Sequence, residues 1–185
     1  DANVISVGAG NAGTTITLGS TLLNNNYIVE CHKAGPNASR DTANSGTISD
    51  TGFIRSTNSA TEFSIIAYTG SGTTGHTIEH GLGAKPDLIF FSQDNTSQNK
   101  RCYHSAIGAT AFLNVEIDDA AATNIGFMNN VEPGGAGGVI TLGASSFSIN
   151  DDGADQVCYA WAKVRGYSAF GKYTGKTSYD SAAVI

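Results

Sequence analysis

At 185 residues the chain is long enough to enclose a core without disulfide or metal staples, yet only 14% of it is charged, against about 25% in an average soluble protein. A formal net charge of −6 with only ten Lys and Arg, scattered singly, argues against nucleic acid or another polyanion as partner. No apolar run reaches the ~18 residues of a membrane span, and the opening DANVISVGAG has neither a basic nor an apolar leader region, so a soluble chain without membrane insertion is expected.

Apolar residues come in short runs between Gly, Asn, Ser and Asp clusters, and no amphipathic pattern is long enough for a substantial helix. The expected architecture is therefore all-β. In chain order, residues 1–60 carry strands near Val4 to Val7 and over 27–33, followed by a polar stretch, GPNASRDTANSGTISDT at 35–51, that reads as an exposed loop or linker. Residues 62–91 then organise the rest. FSIIAY at 63–68 is β-branched and aromatic and stops at Thr69-Gly70-Ser71-Gly72, which favours a turn. LIFF at 88–91 is apolar enough for a central strand buried on both faces. Between them, HGLGAKP at 80–86 fixes the backbone, and Leu82, with no periodic partner, is placed as a plug at the end of a sandwich. Further strands are expected over 101–104, 111–117, 138–142, 147–150 and 156–164, with one helical turn at 118–124 and a mobile loop at 132–138.

The chain also repeats itself. Ile16-Thr17-Leu18-Gly19 recurs at 140–143, Tyr68-Thr69-Gly70 recurs at 173–175, and a strand with Cys and Lys follows each ITLG, at 27–33 and 157–163. This order divides the chain into closing strands of one unit plus a polar linker (1–60), a complete unit (61–175) and a C-terminal tail (176–185).

FSIIAYTGSGTTGHTIEHGLGAKPDLIFF, then Tyr103-His104-Ser-Ala-Ile-Gly108, Phe112-Leu113-Asn114 and finally GYSAFGKYTG at 166–175 resemble a domain of tail-fibre-like structural proteins of tailed bacteriophages. That domain has no assigned activity and often occurs in tandem or beside lectin-like jelly-roll domains. The resemblance implies a β-sandwich of jelly-roll type with long glycine-rich loops and a non-enzymatic role as a virion structural protein on the particle surface. It also implies partners among copies of itself and other virion proteins, as a homo-oligomer. A carbohydrate-binding module that recognises a host-surface glycan is the rival reading. The chain departs from the family pattern at 126–135, where GFMNNVEPGG replaces the usual Trp-Asn segment and proline-containing loop, and at Ile107, where leucine is usual.

No residue set reads as catalytic, cofactor-binding or metal-binding. His76-Thr77-Ile78-Glu79-His80 fits H-x-x-E-H, but that zinc pattern works on a helix, and the flanking glycines forbid one. In a strand the two imidazoles would stand about 13 Å apart, too far to share an ion. His80 is therefore expected to be structural and hydrogen-bonded. Adjacent His104 and Ser105 would point to opposite faces of a strand, and no G-x-S-x-G elbow is present. Asp118-Asp119 and Asp151-Asp152 lack the spaced ligands of a calcium loop and read as solvated turns. The absence of a paired-carboxylate signature counts against a glycan depolymerase. Cys31, Cys102 and Cys158, widely spaced and odd in number, read as buried free thiols, and Trp161 with the GYSAFG aromatics as core packing.

Overall fold

Strand-forming runs alternate with turn residues through the chain, and the computed structural model describes residues 4–7, 14–17, 40–93, 99–132, 137–144 and 147–173. The chain divides into two units, residues 1–32 and 33–185. In the first, β1 (Val4–Val7) pairs antiparallel with β2 (Thr14–Thr17), Val4 opposite Thr17. Cys31, the strand expected over 27–33 and the tail at 176–185 lie outside the described residues.

The second unit holds eleven of the thirteen described strands: β3 (Arg40–Asp41), β4 (Ile54–Asn58), β5 (Phe63–Thr69), β6 (Thr77–Glu79), β7 (Leu88–Gln93), β8 (Arg101–His104), β9 (Ala111–Asn114), β10 (Ala122–Thr123), β11 (Met128–Val131), β12 (Val139–Leu142) and β13 (Asp155–Trp161). Eight form one sheet in the order β10-β9-β8-β7-β13-β5-β4-β3, three form another in the order β11-β12-β6, and every pairing is antiparallel. The two sheets face each other over one core. From the large sheet come Ile66, Tyr68, Ile89, Phe91, Tyr103, Phe112, Cys158 and Ala160, and from the small sheet Ile78, Met128, Val131, Ile140 and Leu142. Phe127, just ahead of β11, packs edge-on against Phe91 with ring centroids 6.0 Å apart. The period-2 alternation of β5 and β13 thus places one row of side chains inside.

Several expectations are corrected. LIFF is central, with β13 on one side and β8 on the other, but only Ile89 and Phe91 are buried; Leu88 and Phe90 face the outer side and are half-buried. Residues 44–48 are no free linker, because they seal the edge of β6. Thr47 and Ile48 donate from their backbone N–H groups to the Thr77 carbonyl at 3.0 and 3.1 Å, and Asn44 Oδ1 accepts the Glu79 N–H at 2.8 Å. β3 and β4 belong to the same sheet as β5, so the boundary between units falls at residues 32/33 and not at 60. The expected helical turn at 118–124 instead contributes β10, and 147–150 is no strand, since Ser148 adopts a φ of 56° that an extended chain does not allow. The strand at 111 ends at Asn114, and the last strand ends at Trp161.

Candidate functional site

The residues singled out by the sequence can be placed one by one. His80 follows β6 and is fully buried. Its Nδ1 accepts the Leu82 N–H at 3.1 Å, which leaves the proton on Nε2, 3.3 Å from the Glu132 carbonyl. Burial holds its pKa below the usual histidine value, and the nearby Arg55 charge acts the same way. The imidazole is a neutral bracket between the 80–82 turn and the end of β11. Leu82, with no exposed surface, fills the core beside it. Gly81 has φ 69°, and a Cβ there would lie 2.6 Å from Arg55 Nε, so the position requires glycine on both counts.

Glu79 points the other way. Burial opposes its ionisation, but hydrogen bonds from Ser45 and Arg55 outweigh that and hold the carboxyl below the ordinary range. Arg55 on β4 makes ion pairs with Glu79 Oε1 at 2.7 Å and Asp41 Oδ2 at 2.6 Å, and so pins the two sheets together at this edge. His76, Glu79 and His80 are not convergent. Among the described residues, no group of three or more His, Cys, Asp or Glu side chains is placed to hold a metal.

Ser105 and His104 are likewise separated. Ser105 Oγ donates to Asp87 Oδ1 at 2.8 Å, while His104 Nδ1 accepts the Ala106 N–H at 3.0 Å. Asp87 also receives the Lys163 N–H at 3.0 Å, so its carboxylate ties the start of β7 to the turn after β8 and the segment after β13. Tyr103 is buried, with its pKa raised by desolvation and by the Asp87 charge. Asp118 and Asp119 are exposed, as is Asp152, and Asp151 lies in the turn that supports Gly70.

Cross-strand register reveals a surface that the sequence reading assigned to the core. On the outer face of the large sheet, Phe63, Ile65 and Ala67 of β5 stand opposite Trp161, Tyr159 and Val157 of β13, which in turn stand opposite Leu88, Phe90 and Ser92 of β7. Except for buried Phe63 these side chains are half-buried. Trp161 stacks on Phe63 at 4.8 Å and lies near-parallel to Tyr159 at 6.3 Å, while Phe90 meets it edge-on at 5.6 Å. At the far end of the same strands, a depression of about 500 Å³ is lined by Gly52, Ala67, Ser92, Asp155 and Val157 among others. Period-2 alternation was the available signal, since Val157, Tyr159 and Trp161 share one face and Cys158 and Ala160 the other. The half-buried Tyr159 ring on that face, next to a polar-edged depression, can stack on flat, partly apolar ligands.

A family model described as a domain of unknown function (DUF7483) matches residues 8–185. The chain belongs to this family. No curated protein and no solved structure matches it.

Proposed function

We propose that this chain is a non-enzymatic structural protein of a bacteriophage virion, of tail-fibre or surface-fibre type. Its sandwich is of jelly-roll type with long glycine-rich loops, and it works at the particle surface alongside copies of itself and other virion proteins. The observation that supports this reading is the use to which the resembling motifs are put. In YTG, Tyr68 anchors the 147–150 segment through a buried hydrogen bond. In HGLG, His80 and Leu82 close one turn. In the YH motif, Tyr103 fills the core while His104 caps the next turn. Motif residues used for architecture suit a protein whose product is a shape. Self-association is favoured by β1 and β2, because among the described residues they form a hairpin two strands wide, which is marginal in water unless a further strand or layer joins it.

Labelling intact particles with an antibody against the chain, together with light scattering on the purified protein, tests the reading. Fibre or surface labelling and an oligomer are expected. A protein absent from particles and monomeric at high concentration would sink it.

The second reading, a carbohydrate-binding module that recognises the host surface, is favoured by the near-parallel Tyr159 and Trp161 rings on the outer face. A glycan array separates the two: binding lost on Tyr159→Ala supports the module, and a blank array removes it.

A further inference from the structure

Four polar side chains near the ends of neighbouring strands point into the sandwich, at positions where the pattern calls for apolar ones. Gln156 of β13 stands directly opposite Gln93 of β7, and Arg101 of β8 stands opposite both Phe91 of β7 and Asn114 of β9. Opposed residues share a face, and Phe91, buried against Phe127, identifies it as the inner one. Gln156 is only 3% exposed, whereas Gln93, Arg101 and Asn114 are half-buried, so the row opens towards solvent away from β13.

None of these groups is satisfied. Both amide atoms of Gln156, Oε1 of Gln93, Nε of Arg101 and Oδ1 of Asn114 are shut off from water without a hydrogen-bond partner, five atoms on two adjacent cross-strand rungs of one face. Folded proteins hold few such atoms, because each one forfeits its hydration. The Arg101 guanidinium lies 4.8 Å from the Phe112 ring centroid. The acidic group nearest in its influence, Glu116, is already paired with Lys100. Asn114 Nδ2 reaches Asp119 Oδ2 at 3.5 Å, which leaves Oδ1 as an acceptor in want of a donor.

We propose that this row binds a single sugar-acid residue of the uronate class. Arg101 takes the carboxylate, for which its planar fork is suited. Gln93, Gln156 and Asn114 take the hydroxyls, which donate and accept as carboxamides require. Sulfate offers only acceptors near neutral pH and would leave Asn114 Oδ1 orphaned. A polyanionic strand is opposed by the net charge of −6. The ligand class rests on the saccharide reading, but the site lies on the opposite side of the sheet from Tyr159 and Trp161.

The test is an NMR titration of the isotope-labelled full chain with sodium D-glucuronate, D-glucose and sodium sulfate, following the Arg101 Nε–H and the Gln93 and Gln156 side-chain amides. Saturable shifts with glucuronate are expected, with glucose and sulfate each about tenfold weaker or more. Arg101→Gln should abolish the glucuronate response, and Arg101→Lys, which keeps the charge should the first variant fail to fold, should weaken it. Methyl β-D-glucuronide distinguishes a glycan-terminal residue, which it mimics, from the free acid, which alone would then shift the signals. No saturable glucuronate shift, or an equal response to glucose or sulfate, overturns the proposal. Glycan binding that depends on Tyr159 without any response at Arg101 overturns it too, while leaving the saccharide reading in place.

Discussion

The Tyr68 hydroxyl donates a 2.5 Å hydrogen bond to the carbonyl of Ile149, inside the protein and across 81 residues of chain. Tyr68 is 1% exposed and Ile149 has no exposed surface, so water cannot replace either partner. Burial raises the phenol pKa well above its usual value and keeps it a donor throughout the working pH range. Tyr68→Phe should therefore leave the Ile149 carbonyl orphaned and destabilise the fold by about 1–3 kcal/mol in urea unfolding. A loss under about 0.5 kcal/mol would show that the 147–150 segment is held by other contacts.

Neighbouring phenylalanines on β7 should behave differently. Phe91→Ala empties an inner-face position packed against Phe127 and should cost about 3–5 kcal/mol. Phe90→Ala trims the half-buried outer face and should cost clearly less. Equal losses in paired urea melts would mean that the outer face is as tightly covered as the inner.

The depressed pKa of His80 predicts an acid sensitivity with a definite sign. Unfolded, the imidazole titrates near 6.5; folded, it titrates lower, since burial and Arg55 disfavour the charged form. Between those two values the unfolded chain binds more protons, so stability falls as pH drops below about 6.5 and levels off once the folded imidazole also protonates. His80→Gln should lose this component, which the difference in urea midpoint between the two proteins from pH 7.5 to 5 would report. Parallel curves for the two would refute it.

Cys102 and Cys158 occupy neighbouring strands' partners on opposite faces of the sheet, Cys102 opposite Phe90 and Cys158 opposite Phe91, and both are buried and free. Burial pushes the Cys102 thiol up to about 11 and that of Cys158 higher still. In a Cys31→Ser background, neither should react with iodoacetamide at pH 8 until denaturant is added, because only about one Cys102 thiol in a thousand is ionised there. Rapid native labelling of either would contradict the packing described.

The longest strands were readable from residue chemistry: β5 and β7 as β-branched and aromatic runs, β13 as an apolar strand with Cys and Lys after the second ITLG. Where local patterns competed, the reading failed. Asp118 to Asn124 has the composition of a helical turn, yet Ala122 and Thr123 add a strand because β9 offers an edge beside them. Phe147 to Asn150 alternates like a strand, but Ser148 turns the backbone left-handed while Tyr68 holds the following carbonyl. His80 was legible as structural from its glycine neighbours. The outer aromatic face and the inner polar row were not, because each is assembled by register between distant strands. The only trace of the row in the sequence is a lone polar residue at an inward position in each of β7, β8, β9 and β13.

The position of β13 between β5 and β7 governs how the chain must be born. Among the described strands β13 comes last in chain order, and without it β5 and β7 each present an open, mostly apolar edge. Such distant pairings fold slowly, and exposed edges recruit other chains. A product cut short before residue 155 lacks β13 and leaves both edges open.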